Sequence, residues 1–100
     1  MNLRRHIKQT PKIIRNNNFI WTTIKKQKLH LYEMGDSHIH NCILLLQRKL
    51  NKYNQYNNKN YNSLIKPSII EEVKDTIKEF ENELAYRNQN NIFIKETKKA

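Results

Sequence analysis

Residues Phe19–Leu50 read FIWTTIKKQKLHLYEMGDSHIHNCILLLQRKL, and a change of period inside this stretch decides the fold. Phe19-Ile20-Trp21-Thr22-Thr23 is aromatic and β-branched, the composition that packs well on a pleated surface. Lys28-Leu29-His30-Leu31-Tyr32 alternates, with Leu29 and Leu31 on one face and Lys28, His30 and Tyr32 on the other. The connector Ile24-Lys25-Lys26-Gln27 lacks an Asn-Gly or Asp-Gly pair, and together with Lys28 it makes the tip of the expected hairpin strongly cationic. Met34-Gly35-Asp36-Ser37 reads as a helix start. Gly35 is free to adopt a positive φ, and Asp36 or Ser37 can accept a hydrogen bond from a first-turn amide. Ile39, Cys42, Ile43, Leu46, Leu50 and Tyr53 then recur along one helical face. Leu44 and Leu45 widen that stripe, so the first half of this helix is expected to be buried on most sides.

Outward from this unit the patterning weakens and then returns. Asn51–Asn62 (NKYNQYNNKNYN) has no apolar period and reads as a linker or a frayed helix end. Ser68-Ile69-Ile70-Glu71 has the S-x-x-E form of a capping box, which predicts a second helix from Ser68. Ile70, Val73, Ile77, Phe80 and Leu84 follow as a heptad stripe. Antiparallel pairing with the first helix would bury both stripes, and a homodimer through the same five residues is the alternative use. Ile92-Phe93-Ile94 suits a short edge strand. The expected architecture is α+β and mostly helical, a β-hairpin followed by two α-helices. Residues 1–18 form a flexible basic arm, interrupted at Pro11, which has no backbone N–H to donate. Residues 19–88 form one domain and 89–100 a tail.

The net charge of +10 on 100 residues favours an anionic partner and speeds encounter with it. The charge is also lopsided. Residues 1–67 carry 13 basic against 2 acidic side chains, whereas Ser68–Asn88 carries six acids against three bases, so the molecule is dipolar by sequence. The acids of the second helix are expected on the face away from its stripe. A competing source of Lys is codon bias, because Asn, Lys, Ile and Tyr, all served by A/T-rich codons, dominate the composition. The single cysteine, Cys42, excludes an intrachain disulfide and suits a reducing, cytoplasmic setting. No apolar run approaches the ~20 residues that would span a bilayer, so no membrane partner is expected.

Catalytic and metal chemistry have few residues to draw on. His38 and Cys42 stand one helical turn apart, the i, i+4 spacing of paired ligands, and His30 on the neighbouring strand could supply a third. A structural zinc site wants four ligands, so neither metal nor cofactor is expected, and His38 instead packs against Trp21 with a backbone carbonyl as its partner. A hairpin followed by a His-bearing helix also fits the ββα-metal nucleases loosely, with His30 as base, His38 on the metal and Asn41 positioning the base. One glycine in the whole chain excludes a Gly-rich phosphate cradle. The enzyme reading is therefore subordinate to a non-enzymatic one.

The run Trp21-Thr22-Thr23, Leu29, Leu31, Met34, Asp36-Ser37-His38-Ile39 and Asn41 resembles a family of small uncharacterised phage proteins. In these a W-T-T hairpin leads into a helix beginning M-x-x-x-H-[LI]-x-N. The resemblance covers about a third of the chain, and Lys25-Lys26-Gln27 stands where that family has a Gly-containing tip. It implies a phage or prophage origin, hence the cytoplasm of an infected bacterial host, and no particular activity. His38 and Asn41 would serve to tie the hairpin backbone to the helix through side-chain hydrogen bonds.

The expected function is that of a phage-type accessory protein binding RNA or DNA, or a bacterial nucleic-acid-binding protein complex, through a basic surface. Arg4, Arg5, Lys25, Lys26, Lys28, Arg48, Lys49 and Lys52 are the candidate phosphate or acidic-surface contacts, and Tyr53 and Tyr56 the candidate base-stacking residues. The alternative of another class is an anti-CRISPR-like inhibitor of host defence, inserted into the channel of an RNA-guided nuclease.

Overall fold

The computed structural model describes residues 11–60, 62 and 64–98. Two antiparallel strands come first, β1 (Ile20–Thr22) and β2 (Lys28–His30), and two helices follow, α1 (Asp36–Lys59) and α2 (Pro67–Gln89). The fold is thus α+β and mostly helical, a hairpin feeding a helical pair. Trp21 pairs with Leu29, and these two residues turn inward, while Ile20, Thr22 and Lys28 are exposed. The hairpin closes without Asn-Gly because Lys26 itself takes the left-handed conformation, at φ 62°. A three-residue loop needs one such position. Lys26 N–H donates to Thr23 O at 2.8 Å, and Thr23 N–H donates to Gln27 O at 2.9 Å.

β2 ends at His30, short of the expected Tyr32. The chain winds instead into a 3-10 turn, Leu31–Glu33, because the Glu33 carboxylate returns to accept the His30 N–H at 2.9 Å. Leu31 remains buried through this change of course.

α1 begins where expected, but for a different reason. Gly35 is its N-cap at φ −67°, so the positive φ allowed to glycine is not used. What requires glycine is the C-terminal segment. A Cβ at Gly35 would stand 3.0 Å from the carbonyl carbon of Glu96. That segment also does the capping: Thr97 Oγ1 accepts the Gly35 N–H at 3.1 Å, and Ile94 O accepts the Asp36 N–H at 2.9 Å. Neither Asp36 nor Ser37 caps. Residues 92–95 therefore run as an extended strap over the start of α1, and the edge strand expected at Ile92–Ile94 is absent from the described residues.

Two further expectations for α1 are corrected. Asn51–Lys59, read as a linker or a frayed helix end, is regular helix to Lys59. Leu50 and Tyr53 pack against the core and carry the helix forward, and the Asn60 N–H closes the last turn on Tyr56 O at 3.0 Å. Leu44 and Leu45 are not buried; they are 54% and 49% exposed. Only the stripe through Ile39, Cys42, Ile43 and Leu46 faces inward.

α2 starts at Pro67 with Lys66 as N-cap, so Ser68 lies inside the helix and the expected capping box does not form. Proline at the first helical position prevails because its φ is pre-set and its missing N–H would be unpaired there in any case. Val73, Ile77 and Phe80 are buried against the rest of the core, with Ile70 and Leu84 half-buried beside them. The heptad stripe is thus used within the chain, in the pairing of α2 with α1 and the hairpin. Phe80 meets the edges of Phe19 and Trp21, with ring centroids 6.0 and 5.1 Å apart, which docks the hairpin onto α2.

The helices are antiparallel, and a buried ion cluster fixes their ends. Arg87, near the end of α2, donates to Asp36 at the start of α1 (2.6 Å), to Glu83 (2.7 Å) and to Leu31 O (2.8 Å). Glu83 also takes both arms of Arg15, at 3.0 and 2.8 Å. Glu83 was expected among the outward-facing acids of α2. It is buried instead, because Arg87 continues the seven-residue step from Val73 and Phe80 into the interior and Glu83, one turn earlier, neutralises it. The Arg15 guanidinium lies 4.6 Å from the Tyr86 ring centre. Residues 11–16 accordingly lie along α2, with Ile13 N–H on the Gln89 carboxamide (2.7 Å) and Asn82 on Ile14 O (3.0 Å).

Candidate nucleic-acid interface

The charge expected from the sequence divides between the two helices. After Asp36, α1 contains no acidic residue, and its outer side presents Arg48, Lys49, Lys52 and Lys59, all exposed. The outer side of α2 holds Glu71, Glu72 and Asp75, which with Glu79 and Phe19 line a concave surface of opposite sign. The two helices present opposite potentials because each stripe turns toward its partner and sends its polar residues away from it.

The hairpin extends the cationic side of α1. Lys25, Lys26 and Lys28 are exposed around its tip. Lys25 lines the same cavity as Leu45 of α1, so the tip rests beside the middle of that helix. Arg48 and Lys49 begin one turn beyond Leu45 along α1. The face of α1 past the hairpin is therefore open and runs about 15 Å from Lys49 to Lys59.

The aromatic candidates part ways. Tyr56 is exposed on this face, whereas Tyr53 is half-buried and packs against the core, with the Lys49 ammonium 5.9 Å from its ring centre. Arg48 is held by its own helix, its Nε on Leu44 O at 3.4 Å. Six of the candidate cations, Lys25, Lys26, Lys28, Arg48, Lys49 and Lys52, are thus exposed, three at the hairpin tip and three on α1. Arg4 and Arg5 lie outside the described residues.

The cavity itself lies between hairpin and α1. Its volume is about 450 Å³; Trp21, Leu29, Cys42 and Leu45 wall it, and its polar lining includes Thr22, Thr23, Gln27 and Thr97 beside His38 and Lys25. His38 does not bond a backbone carbonyl, as expected, nor does it tie hairpin to helix. Its Nδ1 lies 2.6 Å from Thr97 Oγ1, so it latches the C-terminal strap. Asn41 points away, exposed. His30 stacks on Tyr32 with ring centres 4.8 Å apart. Among the described residues no three His, Cys, Asp or Glu side chains gather as a metal site. Burial raises the Cys42 thiol above its ordinary pKa and keeps it protonated at neutral pH. No helix of the described residues is long and apolar enough to cross a membrane.

Sequence reasoning missed Leu44, Leu45, Lys59 and Thr97 as parts of this surface. The signal for Lys59 was available, since it falls on the Arg48–Lys52 line once the helix continues through the Asn-rich segment. Thr97 had no signal, because its role comes from a contact between chain ends. No family model matches the chain, and neither a curated protein nor a solved structure matches it.

Proposed function

We propose that the protein is a non-enzymatic accessory factor that binds a nucleic-acid backbone along the outer face of α1 and the tip of the hairpin. The observation that carries this reading is segregation. Arg48, Lys49, Lys52 and Lys59 are exposed on a helix with no acid after Asp36, and Lys25, Lys26 and Lys28 are exposed at the hairpin tip, while α2 carries the acids. Lysines stand on both helices, Lys74 and Lys78 of α2 included; it is the acids that are confined to α2, which leaves α1 uniformly cationic past Asp36. A cationic strip of this length neutralises several phosphates of a strand, and phosphate contacts dominate affinity for such a ligand. The acidic side of α2 keeps the strand to one face by repulsion.

Charge placement, as opposed to net charge, is what must be tested. Lys49→Glu/Lys52→Glu and Lys74→Glu/Lys78→Glu change the net charge equally, on α1 and α2 respectively. In filter binding with a labelled oligonucleotide, the α1 pair is expected to weaken binding about tenfold or more, through lost counterion release. The α2 pair should change it far less. Equal losses for both pairs would refute an α1 interface.

A further inference from the structure

We infer that the cavity between hairpin and α1 is a pocket for one unpaired nucleobase, which makes the ligand single-stranded nucleic acid. The inference rests on the α1 backbone-binding reading and adds to it the part of the ligand that is not phosphate. Its first support is continuity. At 100° per residue, His38, Cys42, Leu45, Lys49, Lys52 and Tyr56 fall within about 80° of arc on α1. The cavity therefore occupies the first half of the same face whose second half bears the lysines. A strand following Lys52 and Lys49 toward the start of α1 arrives at its mouth, where Lys25 stands at the rim.

The second support is the chemistry of the walls. Trp21, Leu29, Cys42 and Leu45 offer an apolar, partly aromatic enclosure to a flat ring, as sites for small planar ligands do. His38, whose Nδ1 is held by Thr97, keeps its Nε2 to address the edge of a base, and Thr22, Thr23 and Gln27 are further polar side chains of the lining. Duplex bases are stacked and paired, and cannot enter a pocket without being extruded, whereas single-strand recognition proceeds by taking splayed bases onto aromatic side chains. The half-exposed Leu45 in the cavity wall gains cover from the base of the bound strand.

Trp21 is the only tryptophan in the chain and lines this cavity, so a base entering it changes the protein's tryptophan fluorescence. The full-length protein is titrated with a single-stranded homopolymer of ten nucleotides, as DNA and as RNA, and with a ten-unit abasic strand of equal charge. The expected result is quenching of Trp21 by the base-bearing strands and about tenfold weaker binding of the abasic strand, which leaves the fluorescence unchanged. Leu45→Phe, at a half-exposed position that tolerates bulk, should narrow the cavity and reduce the ratio of base-bearing to abasic affinity. Salt-dependent binding of both strands with equal affinity and no quenching would overturn the pocket and leave the cationic face standing. Absence of binding by every strand at low salt would overturn both.

Discussion

Replacing Arg87 by Met should be among the most damaging single changes in this protein, and the structure says by how much. Arg87 is 2% exposed, and its guanidinium serves three acceptors: Glu83, Asp36 and Leu31 O. Met fills much of the volume and none of the bonds. The Leu31 carbonyl loses its charged donor. Glu83, 1% exposed, keeps only Arg15, and Asp36 turns toward the water it already partly reaches. Breaking a buried pair by deleting one partner costs about 3–5 kcal/mol, and the surviving Arg15 bond argues for the lower end. Against a domain stability of about 5–15 kcal/mol, that is a large share. With a urea m-value of about 1–2 kcal/mol/M, the midpoint should fall by roughly 2 M. Glu83→Leu/Arg87→Met should recover most of the loss, because the remaining charges, Arg15 and Asp36, each have access to solvent. A loss below about 1 kcal/mol for Arg87→Met, or a double variant less stable than the single one, would refute the reasoning that the cluster is a coupled, desolvated unit.

Other changes probe the hairpin, the strap and the thiol. Lys26→Gly relieves a side chain held at φ 62° and should stabilise the fold by about 0.5–1 kcal/mol in the same urea titration. Gly35→Ala drives a Cβ against the Glu96 backbone. Because φ −67° suits alanine, its cost should come from displaced strap contacts and appear as faster proteolysis near residues 92–98 together with a lowered Tm. Cys42 should react slowly with a thiol reagent at neutral pH until the protein unfolds. Since its folded pKa is raised, the unfolded chain releases that proton first, so stability should decline as pH climbs past the ordinary value of 9.0.

Much of the scaffold could be read from periodicity. The strands at Ile20–Thr22 and Lys28–His30, the α1 stripe and the α2 heptad all follow from period two giving way to period 3.6, which is a local property of the chain. What escaped was set by distant contacts or by competition between local rules. The Asn-rich segment looked like a linker, yet asparagine is only mildly unfavourable in a helix, and the packing of Leu50 and Tyr53 outweighs it. Ser68 and Glu71 formed a legible capping box that Pro67 displaced. Glu83 and Arg87 are polar residues at inward positions, and the seven-residue step from Val73 through Phe80 was the available sign that they belong to the core. The contact of Thr97 with His38 and Gly35 joins residues about sixty apart in the chain, and no local pattern encodes it. For the proposed interface, the lysines were legible as residues, but the exposure of Lys59 on the same helix depended on α1 continuing through the Asn-rich segment.

The dependence of affinity on salt tests the central claim most directly. If the strip formed by the tip lysines and the α1 cations neutralises about six phosphates, log affinity for single strands should fall against log salt concentration with a slope of about −4, and for duplex of about −5. Lys49→Glu/Lys52→Glu should flatten that slope. A salt-independent affinity, or a slope unchanged by that double substitution, would contradict binding through the α1 face.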